Sequence, residues 1–94
     1  MGRAANHPGE HLAEQLEALE LSAAQLGRRL QVPGNRISQI VTGQRAISGD
    51  AALRLGHLFG TSPQFWLNLQ ATYDLRVAEQ KTGAMIKSMP TLAA

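Results

Sequence analysis

Cysteine is absent from this sequence, aromatic residues make up only 4% of it, and no alternating strand-like pattern is present. Without cysteine the chain can form neither disulfides nor thiolate metal sites. No apolar run approaches the roughly 18 residues of a membrane-spanning helix. The first eleven residues lack the apolar stretch of a secretory signal. We therefore expect a cytoplasmic protein that does not insert into a membrane.

Motifs of catalysis are also missing. The chain has no glycine-rich phosphate loop, no nucleophile motif and no metalloprotease motif. His7 and His11 are four residues apart, a spacing that suits a metal, but no third ligand lies nearby. Glu10 and Glu14 belong to a solvated acidic helix face. The sequence thus predicts a protein that is not an enzyme and uses neither a metal nor another cofactor.

Charge is distributed unevenly along the chain, although the net charge is only +2. Residues 1–27 carry one arginine against four glutamates, a local charge of −3. Residues 28–54 carry five arginines against one aspartate, a local charge of +4. A concentrated positive segment is what binding to phosphates requires, although a solvated surface can look the same.

Apolar spacing and capping residues predict five helices and an all-α fold. The first begins near Pro8 and the second is capped by Ser22. The remaining three cover about Pro33–Thr42, Ser48–Gly60, and Ser62-Pro63 to Thr82-Gly83. We expect one domain over residues 7–80 and a flexible tail over residues 81–94.

The segment Leu21–Gly43 has the pattern of a helix-turn-helix, with a DNA-binding motif over residues 22–43. In its second helix Ile37, Ile40 and Val41 form the apolar stripe. The outward side chains predicted to contact bases are Asn35, Arg36 and Gln39. Arginine matches guanine in the major groove, while asparagine and glutamine match adenine.

Other polar residues around the motif are predicted to contact the DNA backbone, because such contacts fix the register of a protein on the duplex. They are Gln25, Arg28, Ser38, Thr42 and Arg45. No acidic residue, which would repel phosphate, occurs between Leu21 and Ser48. Arg28 and Arg29 can equally serve solubility.

The fourth predicted helix carries apolar residues on more than one face, which a small domain cannot bury alone. A twofold dimer would cover this surface and would present two recognition helices to two DNA half-sites. The dimerisation helices are expected over residues 48–80. The predicted interface residues are Leu53, Leu58, Phe65, Trp66, Leu69 and Tyr73, of which the aromatic ones suit either the core or the dimer.

Several segments together resemble the HigA/VapI-type antitoxins, a branch of the phage-repressor-like (Xre) helix-turn-helix proteins. They are His7-Pro8-Gly9-Glu10, Ile37–Gly43, Ala52–Gly56 and Phe59–Gln70, with Tyr73-Asp74-Leu75. The likeness covers roughly residues 7–79, and the run from Phe59 to Leu75 is specific to this branch. It implies a dimeric repressor that binds a palindromic operator in double-stranded DNA. It further implies a partner, a HigB-type toxin that cleaves messenger RNA and is neutralised by the antitoxin.

The chain departs from the repressor pattern at three places. Ala23 replaces a glutamine that helps to bind phosphate, Gly27 replaces an alanine where two helices cross, and Pro33-Gly34 replaces a serine cap. Two alternatives to the antitoxin therefore stay open. One is a solitary or phage-derived repressor, and the other is a protein-interaction module with a vestigial DNA-binding motif.

Overall fold

The computed structural model describes residues 6–92, which form five α-helices and no strand. The helices are α1 (Pro8–Leu19), α2 (Ala23–Leu30), α3 (Gly34–Val41), α4 (Gly49–Phe59) and α5 (Pro63–Lys87). The prediction of an all-α, five-helix fold is confirmed. No helix in the described range is both long and apolar enough to span a membrane.

Serine residues fix where three of the helices begin. The hydroxyls of Ser22, Ser48 and Ser62 each accept a hydrogen bond from the backbone N–H three residues later, at 3.1–3.2 Å. Such a cap satisfies an otherwise unpaired N–H group and contributes about 1 kcal/mol. These three helix starts agree with the sequence prediction.

All five helices contribute buried side chains to the core. Its buried apolar side chains are Leu12, Leu16, Leu26, Leu30, Ile37, Ile40, Ile47, Ala51, Ala52, Leu55 and Trp66. The first turn of α1 lies directly on α3, since a Cβ atom added to Gly9 would overlap the carbonyl oxygen of Ile40. Helix α3 therefore packs against α1 on one side and against α2 on another.

The end of α5 differs from the prediction. A stop near Thr82-Gly83 was expected, but the helix continues to Lys87. One glycine costs only about 1 kcal/mol within a helix, and the residues on both sides of Gly83 are mostly good helix formers. The helix ends instead before Pro90, which cannot continue it. Residues 81–87 are thus helical, and residues 93–94 of the predicted tail lie outside the described range.

Candidate nucleic-acid interface

The two helices of the motif cross at very short range, and glycine makes this possible. A Cβ atom at Gly27 would lie 2.8 Å from the carbonyl oxygen of Val32 and 3.0 Å from the Cα atom of Gly34. A Cβ atom at Gly34 would in turn lie 3.0 Å from the Cα atom of Ala24. The turn between α2 and α3 consists of residues 31–33, and Gln31 has a left-handed φ of 61°.

Helix α3 presents a polar face to solvent. Ile37 and Ile40 are buried, whereas Asn35, Ser38 and Thr42 are exposed. No side chain caps α3, because its N-cap residue is Pro33. No side chain of the N-cap residue is therefore bonded to the N-terminal amides of this helix. Amides in this position attract anions such as phosphate.

The hydroxyl groups of α3 are bonded back to their own helix. Ser38 Oγ donates to the carbonyl oxygen of Gly34 at 3.3 Å, and Thr42 Oγ1 donates to that of Ser38 at 3.0 Å. A hydroxyl in this position keeps acceptor lone pairs and can rotate to donate elsewhere. Both residues lie on the surface that the sequence predicted to meet the DNA backbone.

Arg36, which the sequence predicts to contact a base, is hydrogen-bonded to the start of α4 in the structure. Its guanidinium donates to Asp50 Oδ2 at 3.0 Å and to Ser48 Oγ at 3.4 Å, and its side chain is only 24% exposed. Arg54 donates to the same carboxylate oxygen at 2.9 Å and to the carbonyl oxygen of Leu30 at 2.6 Å. The opposite charge at Asp50 draws Arg36 sideways towards α4.

The two arginines also change the acidity of Asp50. Hydrogen bonds from Arg54 and then from Arg36 stabilise the carboxylate and lower the pKa of Asp50 below its usual value. Asp50 is therefore charged at neutral pH and forms an ion pair with Arg36. Sequence reasoning did not assign Asp50 to the site, although its i,i+4 spacing to Arg54 signals an ion pair.

A different arginine takes a place beside the α3 surface. Arg45 Nε donates to Gln39 Oε1 at 2.9 Å, and the Arg45 backbone N–H donates to the Gln39 carbonyl oxygen at 3.1 Å. Gly43, with a φ of 82°, allows the chain to turn back here. Arg45 was predicted only as a backbone contact, and the structure joins it to a predicted base-reading residue.

The polar residues of α2 have two different surroundings. Gln25 belongs to a capping box, in which its Oε1 accepts from the Ser22 N–H at 2.8 Å. Arg28 and Arg29 are both exposed in the last turn of α2. Gln25 thus has a structural role in the helix start, whereas the two arginines remain available as surface cations.

The histidines near the start of α1 are packed against aromatic rings. The ring centroids of His7 and Tyr73 are 4.8 Å apart, and those of His11 and Phe65 are 5.5 Å apart. The Nδ1 atom of His7 accepts from the Gly9 N–H at 2.9 Å, which caps α1. Burial lowers the pKa of His7, and the carboxylates of Asp74 and Glu10 partly oppose that effect. Across residues 6–92, no three histidine or carboxylate side chains are grouped closely enough to hold a metal ion.

The predicted dimer residues do not form one continuous surface. Trp66 is 1% exposed and donates from Nε1 to Thr61 Oγ1 at 3.0 Å, so it belongs to the core and its assignment to an interface is wrong. Its large ring fills the space between α1, α4 and α5, where burial is most favourable.

The other five predicted residues lie on two sides of the molecule. Leu53 and Leu58 line a groove beside Arg29 and His57, between α2 and α4. Phe65, Leu69 and Tyr73 lie on α5, facing α1. Leu53 is 62% exposed.

Gln70 is a buried polar residue whose role the sequence did not reveal. Its Oε1 accepts from the Ile47 N–H at 2.8 Å, and its Nε2 donates to Asp74 Oδ1 at 2.9 Å. The side chain therefore ties the loop that follows α3 to α5. The residues are 23 apart in sequence, so no local pattern could have indicated the contact.

Comparison with known families agrees with this geometry. The model of a family described as a helix-turn-helix domain matches residues 9–64. The chain is therefore a helix-turn-helix protein. Members of this class bind DNA and regulate transcription, and they are not enzymes.

Individual relatives narrow the assignment. Virulence-associated protein I of Dichelobacter nodosus is 51% identical over 75 residues, which are 79% of this chain and 69% of that protein. The addiction module antidote protein of the HigA family from Coxiella burnetii superposes with a TM-score of 0.94 at 47% identity, covering 97% of this chain and 100% of its own. Antitoxin HigA of Pseudomonas aeruginosa, solved with the higBA promoter, gives a TM-score of 0.89 at 42% identity and covers 95% and 99% of the two chains. The chain belongs to the HigA/VapI-type antitoxin family.

Proposed function

We propose that this protein is the DNA-binding antitoxin of a type II toxin–antitoxin module, which represses its own operon and neutralises a HigB-type toxin in the cytoplasm. The proposal that the protein binds DNA rests on the polar surface of α3, which carries Asn35 and Gln39. The guanidinium of Arg45 adds a positive charge beside Gln39. The HigA relative solved with the higBA promoter supports DNA binding by this chain.

We propose that Asn35 and Gln39 recognise bases. Arg36 can contact a base only after it leaves Asp50, to which it is hydrogen-bonded. Arg28, Ser38, Thr42 and Arg45 are proposed to contact the backbone. Gln25 is also proposed to contact the DNA backbone. Its amide nitrogen would make this contact, because its amide oxygen is bonded within the capping box.

A gel shift with the DNA upstream of the protein's own reading frame tests the DNA-binding part. We expect sequence-specific retardation that weakens steeply as salt rises, because counterions are released when cations neutralise phosphates. Equal binding to the operator and to a scrambled duplex of the same length would support the interaction-module alternative instead.

Toxin neutralisation needs a separate experiment. Co-expression with a HigB-type toxin should give a complex that survives purification and should abolish messenger RNA cleavage. A protein that binds its operator but leaves the toxin active would be a solitary repressor.

We further propose that the functional form is a homodimer on a palindromic operator. Exposed apolar residues on α4, and on α5 from its middle to its C-terminal end, would then be covered by a second copy. They include Leu53, Leu75, Met85 and Ile86, exposed by 51–66%. Sedimentation at micromolar concentration should show a dimer. Leu53→Glu and Ile86→Glu should both yield monomers, whereas Arg29→Glu, at an exposed residue of α2 outside this set, should stay dimeric.

A further inference from the structure

Gln39 and Arg45 form a hydrogen-bonded pair on the proposed DNA-binding surface. Two hydrogen bonds join them, one between backbone atoms at 3.1 Å and one between side chains at 2.9 Å. The Gln44 N–H also donates to the Gln39 carbonyl oxygen, at 2.8 Å. A pair clamped in this way loses less side-chain entropy when it binds than two free side chains would.

The chemistry of arginine fixes the orientation of the glutamine amide. A guanidinium has five N–H donors and no acceptor, so only the amide oxygen of Gln39 can face Arg45. The Nε2 group of Gln39, with its two donors, must then point to the other side. The terminal nitrogens of Arg45 add further N–H donors beside this Nε2 group. The pair therefore presents mainly hydrogen-bond donors.

This orientation opposes the recognition of adenine. Glutamine reads adenine by accepting from its N6 amino group while donating to N7. The Gln39 oxygen keeps a second lone pair, but the guanidinium bonded to it carries further N–H groups that would meet the adenine amino group donor to donor. Guanine presents N7 and O6 in the major groove, and both are acceptors. Thymine presents a single acceptor beside a methyl group.

We propose that Gln39 and Arg45 act as one specificity-determining unit that selects guanine. This inference rests on the proposed function, because it concerns the base that the same surface reads. It replaces the adenine preference that glutamine alone would predict at this position. Arg45 is a positioning residue in this unit for Gln39, in addition to any contact of its own.

Binding-site selection from a random duplex library, with the purified full chain and its variants, tests the inference. The operator position that loses its preference in Gln39→Ala is the position that Gln39 reads. In the wild-type protein we expect guanine there, favoured about tenfold or more. In Arg45→Ala the amide is released, and we expect the preference at that position to change to adenine.

Two further variants make the result specific. Gln39→Glu replaces the donors by acceptors, so cytosine, which offers an amino donor, should be selected. Arg28→Ala removes an exposed cation from α2 without touching the pair; it should weaken binding to all sequences equally and leave the guanine preference unchanged. Circular dichroism of each variant confirms that it is folded.

The outcomes separate the inference from the proposed function. Adenine at the Gln39 position in the wild-type protein, or guanine that persists at full strength in Arg45→Ala, overturns the coupled unit while sequence-specific binding stands. If the wild-type protein selects no sequence at all, the proposed DNA-binding function fails, and the inference fails with it.

Discussion

The carboxylate of Asp50 holds the guanidinium of Arg36 at 3.0 Å, across the space between α3 and α4. Arg54 donates to the same oxygen at 2.9 Å, so one carboxylate faces two cations. This arrangement withdraws a cation from the recognition helix and places a negative charge beside the surface that we assign to DNA. Asp50 should therefore lower the affinity for phosphate.

Replacing Asp50 by asparagine should strengthen binding to DNA of arbitrary sequence. The substitution removes a charge that repels phosphate, and it releases Arg36 to make one more phosphate contact. We expect the slope of log affinity against log salt to become steeper by about 1. Fluorescence anisotropy with a random duplex, measured over a series of salt concentrations, gives this slope.

Glu14→Gln is the matched control for Asp50→Asn, because it removes one exposed carboxylate from α1, outside the helix-turn-helix. It changes the net charge equally but releases no arginine. If both variants gained the same affinity, the effect would be one of net charge and the role of the Arg36–Asp50 pair would be wrong.

Adding a methyl group where α2 and α3 cross should destabilise the protein. In Gly27→Ala the new Cβ atom would lie 2.8 Å from the Val32 carbonyl oxygen, so backbone must move. We expect a loss of about 1–3 kcal/mol in the free energy of unfolding, as for other overpacked sites. This loss outweighs the better helix propensity of alanine, about 1 kcal/mol. Urea denaturation measures it.

Gly83→Ala provides the comparison, since Gly83 also lies within a helix but has room for a Cβ atom. Its nearest neighbour would be Glu79 Cβ at 3.7 Å, an ordinary contact distance. We expect this variant to gain about 0.5–1 kcal/mol from helix propensity alone. Equal gains at both positions would show that the crossing of α2 and α3 is looser than the structure indicates.

Removing the amide of Gln70 should loosen the loop that carries Arg45. In Gln70→Leu the buried Ile47 N–H loses its acceptor, and an unpaired buried donor costs about 1–3 kcal/mol. Hydrogen exchange at the Ile47 amide should accelerate in the same variant. Gln64→Ala, which breaks only an exposed pair with Asn68, should change stability by less than about 0.5 kcal/mol.

Helix boundaries could be predicted because local chemistry sets them. Ser22, Ser48 and Ser62 were identified as caps from sequence and each accepts the expected hydrogen bond. The apolar stripe of α3 was also predicted, since burial of Ile37 and Ile40 follows from helical spacing. The end of α5 was placed too early because a single glycine was given more weight than the helix formers around it.

The direction of side chains at the site depended on partners that are remote in sequence. Arg36 was expected to face DNA, but it pairs with Asp50, 14 residues later. Trp66 was expected at a dimer interface, but it is buried beside His11 of α1 and Phe59 of α4. Helical periodicity tells which face a residue occupies, whereas these outcomes depend on how α4 and α5 pack, which one sequence does not specify.

Lowering the pH should destabilise the protein through His7. Its Nδ1 accepts the Gly9 N–H, so the cap requires unprotonated histidine. Burial lowers the pKa of His7 in the folded protein below 6.5, the ordinary value for a histidine in an unfolded chain. The unfolded state then binds the proton first, and stability rises with pH over this interval.

The contribution of His7 to stability should therefore be complete above pH 6.5, decline as the pH falls below it, and level off below the folded pKa. His7→Asn keeps an N-cap acceptor but does not titrate in this range. Urea midpoints of the two proteins, compared between pH 8 and pH 5, isolate His7 from the other histidines because those are present in both. If the urea midpoints of the two proteins changed by the same amount at every pH, protonation of His7 would have no effect on stability. The hydrogen bond to Gly9 would then contribute nothing to α1.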